Sequence, residues 1–221
     1  MAQINVTQVL GPVSEIVRQC PTTTLIQAYI AAVREFCNKT RILKTSITGV
    51  TVADTAQYNL GDDASNEVIG IRAMSIQGDG TNWTPVTDRS QTLWDANAST
   101  DEPEFYNYLP HAAFLLGPTP NAVYNLDVTA VLQPKLGVVS FEESLLVDWS
   151  EAFKAGALHR LLRIKGEPWS DPGESNAQLI LFTAQLNYGK SAEAAGHNAG
   201  SAATERNGGP NARLRGRIGP I

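Results

Sequence analysis

Three histidines and two cysteines are the side chains of this 221-residue sequence best equipped for chemistry, and their spacing limits what they can do. His111 follows Pro110, His159 falls within a helical pattern, and His197 sits in a stretch of small residues. A zinc site gathers several His, Cys or carboxylate ligands at short helix or turn spacings, and no C-x-x-C or H-x-x-x-H pair occurs. Cys20 and Cys37 lie on either side of a helix start without knuckle or redox spacing, so both read as small, buried, apolar residues. Cys37 adjoins Phe36 on an apolar stripe, which predicts a desolvated thiol of raised pKa, the reverse of an activated nucleophile. The adjacent carboxylates Asp62-Asp63, Asp101-Glu102 and Glu142-Glu143 fall in loops or at a helix N-terminus, where solvation and the helix dipole account for them. Leu60-Gly61-Asp62-Asp63 and Gly78-Asp79-Gly80 lack the lysine and following helix of a phosphate loop. No catalytic residue, metal site or cofactor is therefore assigned, and the chain reads as a structural protein rather than an enzyme.

The clearest chemical feature is a charge asymmetry. Residues 189–221 carry Lys190, Arg206, Arg213, Arg215 and Arg217 against Glu193 and Glu205, a net +3, which leaves −8 on the rest of a chain of net −5. An acidic body argues against wrapping DNA phosphates, which calls for clustered cations. A basic tail argues for an acidic partner surface, and Arg213, Arg215 and Arg217 alternate as an extended strand would present them to one side. With 43% hydrophobic and 18% charged residues, the composition is that of an ordinary folded protein. The N-terminus lacks the basic and apolar blocks of a signal peptide, so an intracellular site of synthesis is expected.

These side chains must be positioned by elements whose periodicity is readable. Val13–Gln19 suggests a short helix ended by Pro21, and Leu25, Tyr29, Val33, Phe36 and Cys37 mark an amphipathic helix over about 25–40, with Thr24 and Gln27 at capping-box spacing. Its Gln27, Arg34, Asn38 and Lys39 face reads as solvated or subunit-facing. From about 46 to 133 the period falls to two, which predicts a β module with strands at 47–52, 56–60, 68–76, 82–86, 112–116 and 124–132. In the last of these, Tyr124, Leu126, Val128, Ala130 and Leu132 are expected to face a core, and Asn125, Asp127 and Thr129 water. Ser140 and Glu143 have capping-box spacing ahead of a long apolar stripe, predicting one helix over about 141–164. Asp171-Pro172 starts another over 172–188. Phe36, Trp149, Phe153 and Trp169 are the aromatic anchors expected to hold this packing. The result is an α+β fold, a bundle of three to four helices with an inserted antiparallel β module as one domain over residues 1–188, and a flexible extension over 189–221, where repeated glycines oppose helix. The helix faces read as polar, without a long apolar seam, so self-assembly is expected to depend on a partner.

The helix Leu25–Thr40 resembles the opening helix of the head-to-tail adaptor proteins of tailed bacteriophages. The strand Tyr58-Asn59-Leu60, the segment Phe114–Pro120, the helix core Trp149–Leu161 and Glu167-Pro168-Trp169-Ser170-Asp171-Pro172 carry the same resemblance in order. The chain departs from the family at Ile42-Leu43, near where the family tends to place an aromatic. The resemblance implies a ring of about twelve copies beneath the portal, part of the DNA channel, at the virion neck between capsid and tail. It implies the portal protein and a tail or nozzle protein as partners, genomic DNA passing without sequence-specific binding, and neither catalysis nor cofactor. Arg206, Arg213, Arg215, Arg217, Ile218 and Ile221 are then the proposed portal-binding residues. Two other readings stand beside it. One is a β-module tail or capsid protein recognising a sugar or coat protein, which exposed aromatics near Trp83, Trp94 and Tyr106 would favour. The other is a small hydrolase built on Cys37 or His159.

Overall fold

The computed structural model describes residues 3–61, 64–78, 82–90, 99–109 and 113–196. The chain opens with β1 (Gln3–Asn5), a 3-10 turn at Val6–Gln8 and the four-residue helix α1 (Gly11–Ser14). The helix expected over 13–19 is corrected to this single turn, which is followed by non-helical turns in which the Ile16 and Val17 N–H groups both bond the Val13 carbonyl, before Gln19 at φ +71°. Extended Pro21 then leads straight into α2 (Thr22–Thr40), so the helix starts before Thr24 and no side-chain cap forms. Arg41, at φ +56°, closes it with a bond from its N–H to the carbonyl of Cys37.

The β module follows as β2 (Lys44–Val50), β3 (Gln57–Asn59), β4 (Asn66–Gln77), β5 (Thr84–Asp88), β6 (Thr100–Asp101), β7 (Phe105–Leu109), β8 (Ala113–Gly117), β9 (Thr119–Pro120) and β10 (Asn125–Pro134). Seven of these form one curled sheet in the order β2-β10-β4-β5-β7-β8-β3, while β6 and β9 pair separately. The sheet is not wholly antiparallel as expected: β5 and β7 run parallel, with Thr87 opposite Phe105. Asp101, expected in a loop, is a strand residue of β6, paired with Pro120.

The long strand β10 sits between β2 and β4. Its alternation holds on the core face, where Leu126, Val128, Ala130 and Leu132 are buried. The opposite face is drier than expected: Asp127 and Val131 are buried too, and Asp127 accepts a 2.7 Å hydrogen bond from the Ser46 hydroxyl. Two register shifts against β4, at Thr129/Ala130 and Val131/Leu132, break the strict period of two.

The single helix expected over 141–164 is three elements. β11 (Ser140–Glu142) pairs with β1, Ser140 opposite Asn5, so Ser140 contributes a ladder position rather than a cap. α3 (Glu143–Asp148) follows, Trp149 leaves helical geometry at φ −122° and ψ 20°, and α4 (Ser150–Leu162) resumes. α5 (Pro172–Ala194) begins at Asp171, whose carboxylate accepts from the Glu174 N–H at 3.0 Å, with Pro172 in the first turn. It continues past the expected boundary at 188, so residues 189–194 are helical, and Gly196 at φ +90° follows its end.

Helices α2, α4 and α5 pack on one another around aromatic contacts. Phe153 meets Tyr29 edge-on at 6.0 Å and Phe36 at 5.3 Å, and the Trp149 ring lies 4.9 Å from Phe36 and 5.5 Å from Tyr188. Phe36 and Phe153 are fully buried, each contributing about 1.5–3 kcal/mol from removal of apolar surface from water. Trp149 is buried, and Trp169 is half-buried against the same core. Ile42 and Leu43 are also fully enclosed where α2 hands over to β2. The architecture is therefore mixed α+β, with a curled seven-stranded sheet and helices α2, α4 and α5 packed on one another.

Candidate functional site

Among the described residues, the groups best equipped for chemistry are buried or held in structural contacts. Cys37 is fully buried, and loss of hydration pushes its thiol up to about 12, which leaves it protonated at neutral pH. His159 lies instead against Ser175 at the start of α5: its Nδ1 is 3.1 Å from both the Ser175 carbonyl and the Ser175 hydroxyl. That hydroxyl donates to the His159 carbonyl at 2.9 Å. Its proton is committed to the backbone, so the pair fastens α4 to α5 and does not form a serine nucleophile with its base. Among the described residues no group of three or more His, Cys, Asp or Glu is arranged to hold a metal ion. A cleft bordered by Gln3, Leu43, Pro134 and Phe141 has room for about one water molecule. His111, His197 and Trp94 lie outside the described residues, as do Arg206, Arg213, Arg215, Arg217, Ile218 and Ile221. Of the aromatic patch that would favour a sugar-binding module, Trp83 is exposed and Tyr106 is buried in the core.

What the fold offers is surface. The face of α2 expected to be solvated is partly a joint to the sheet: Arg34 donates to the Glu67 carboxylate at 2.8 Å and to the Pro134 carbonyl, and Asn38 donates to Gln133 at 3.1 Å. Glu35 binds Lys39 and Arg160. Burial pushes the Glu35 carboxyl up, but the hydrogen bond from Lys39 and the charge of Arg160 outweigh it and hold it below the usual range.

At the far end of α5, Glu193 accepts from Lys44 at 2.7 Å and Arg72 at 2.9 Å, tying the helix to β2 and β4. The Lys44 hydrogen bond is the main reason its carboxyl is held below the ordinary value.

The outer side of α5 corrects the expectation of polar helix faces. From Ser175 to Gly189 the helix carries no charged residue, and Leu179, Ile180, Leu181 and Tyr188 are exposed on it, Ile180 at 70%. This charge-free run was readable in the sequence as a helix apolar on more than one face, the mark of a helix covered on both sides.

A second uncovered feature is the sheet edge at β2. It has β10 on one side and no strand on the other among the described residues, and Ser46, Thr48, Gly49 and Val50 are exposed.

The architecture is thus a mixed α+β chain with an exposed apolar helix face and an open strand edge among the described residues. The model of the SU10 adaptor protein family matches residues 5–213, nearly the whole sequence, and the chain belongs to that family. It is thus a phage adaptor protein, a structural component of the virion. No curated protein matches the sequence. Among the described residues no helix is long and apolar enough to cross a membrane.

Proposed function

We propose that the protein is a head-to-tail adaptor, docking as a ring of about twelve copies beneath the portal at the virion neck. The observation that carries the reading is the family match over residues 5–213. In the ring the exposed apolar face of α5 packs on a neighbouring copy, since covering Ile180, Leu181 and Tyr188 removes apolar surface from water without burying a charge. The acidic body, −8 outside residues 189–221, lines the passage for genomic DNA and repels its phosphates. Arg206, Arg213, Arg215 and Arg217 pair with carboxylates of the portal protein, with Ile218 and Ile221 adding apolar contacts at the chain end. The opposite side of the ring seats the tail or nozzle protein.

The direct test is sedimentation of the full chain with purified portal protein. Comigration as a larger ring assembly is the expected result, and a chain that stays apart from portal at concentrations well above micromolar overturns the reading. Arginine-to-alanine replacement at 213, 215 and 217 should weaken the association while leaving the melting temperature unchanged.

A further inference from the structure

The outward face of α2 is a joint along one half and open along the other. Thr23, Gln27, Ala31, Arg34 and Asn38 follow at spacings of three and four, so they form one row along the helix. The sheet occupies the later part of that row, where Arg34 bonds Glu67 and Pro134, and Asn38 bonds Gln133. Thr23, Gln27 and Ala31 are exposed among the described residues, and Gln19–Val33 carries no charge. The open part is about 12 Å of helix, long enough to seat two turns of another.

The outer side of α5 matches it in length and in lack of charge. Ala177, Ile180, Leu181 and Ala184 are exposed there, Ile180 at 70%, within the uncharged run Ser175–Gly189. The exposed positions of α3 and α4 offer no such match, since they include Glu143, Asp148 and Glu151. Covering those carboxylates with an uncharged helix would strip them of water and give no partner in return.

Inside one chain the two helices run in the same direction. The backbone of α4 at Gly156 lies against both Ala32 and Phe182, and that of α5 at Gly189 lies against Phe36 and Thr40. Phe182 is therefore level with Ala32, and the later turns of both helices lie together. Counting back along each helix puts Ile180 and Leu181 level with Ala31, and Ala177 level with Gln27. Copies turned about an axis along the helices keep these levels.

We propose that the outer face of α5 docks on the open half of α2 in a neighbouring copy of this chain, with Ile180 and Leu181 seated against Gln27 and Ala31. The inference rests on the ring reading and deepens it by naming the surface that receives α5. Two different faces meet, so each copy gives α5 to one neighbour and α2 to the other. Contacts then pass from copy to copy, as a ring requires, whereas a face docking on itself would stop at a dimer.

Disulfide trapping of the full chain tests the pairing. Cys20→Ala leaves only the buried Cys37, and Ala31→Cys and Ile180→Cys are then added at exposed positions, where the melting temperature should stay within a few degrees of wild type. With purified portal protein present, mild oxidation of the double variant should give a ladder of linked dimers, trimers and larger species on a denaturing gel. A mixture of the two single variants should give dimers only, and each alone should stay unlinked. Ile180→Cys that links to itself overturns the proposal, as does Ile180→Cys that links to Val52→Cys on the exposed tip of the sheet. A ring that sediments with portal but shows no link between positions 31 and 180 overturns the pairing and leaves the ring reading standing. A chain that never sediments with portal overturns both.

Discussion

At the scale of single residues, two glycines show how close the helices lie. A Cβ on Gly156 would stand 2.9 Å from both the Ala32 methyl and the Phe182 ring, and one on Gly189 would stand 2.7 Å from Thr40 Cγ2 and 2.9 Å from Phe36. Gly156→Ala should therefore destabilise the fold by about 1–3 kcal/mol through overpacking, measured by urea denaturation. Gly189→Ala should do the same, whereas a residue in a loose tail would tolerate the change. Trp149→Ala should cost about 3–5 kcal/mol, because it opens a cavity against Phe36 and Tyr188. A loss below about 1 kcal/mol would show that the ring is covered by a neighbour instead of by the core. Cys37 should resist thiol reagents until the protein unfolds, and Cys37→Ala should leave assembly intact.

At the scale of elements, α5 does two jobs on two sides. Its inner side carries Phe182, Leu186 and Gly189 into the core, and its last turn is locked to β2 and β4 through Glu193. The Glu193 carboxyl is held below its unfolded value, so it contributes stability that is present above the unfolded pKa of about 4.3 and is lost as pH falls through the lower folded value. Glu193→Gln should accordingly lower the melting temperature at pH 7, and the gap between the two proteins should close once the solution is acidic enough to protonate the native carboxylate. A gap that persists unchanged at that acidity would mean the ion pair is not its source. On the outer side, Ile180→Lys should leave stability within about 0.5 kcal/mol and weaken self-association, read by sedimentation velocity. Unchanged association in a folded variant would place the copy-to-copy contact elsewhere.

At the scale of the molecule, charge is divided between an acidic body and a basic C-terminal segment, and on the proposed reading the first lets DNA pass while the second holds the portal. Removing residues 200–221 should leave the melting temperature within a few degrees of wild type, since the hydrophobic core lies within residues 6–186, and should abolish attachment to portal-bearing particles. Attachment at the wild-type level by the shortened chain would exclude the arginines as the portal contacts.

Much of this was legible in the sequence, where the information is local. The apolar period around Phe36 and Cys37 identifies α2, the period of two around Val128 identifies β10, and Asp171-Pro172 marks the start of α5, because spacing and capping depend on neighbours along the chain. The motif resemblance likewise led to the adaptor family. Pairing between distant segments was not legible. β1 captures Ser140–Glu142 and removes the first turn of an expected helix, β5 and β7 meet in parallel, and Ser46 satisfies an aspartate that alternation alone would send to water. The exposed side of α5 and the open edge of β2 belong with these. Composition shows that a segment is apolar or uncharged, but only the packed arrangement decides which of its faces the rest of the chain has already covered.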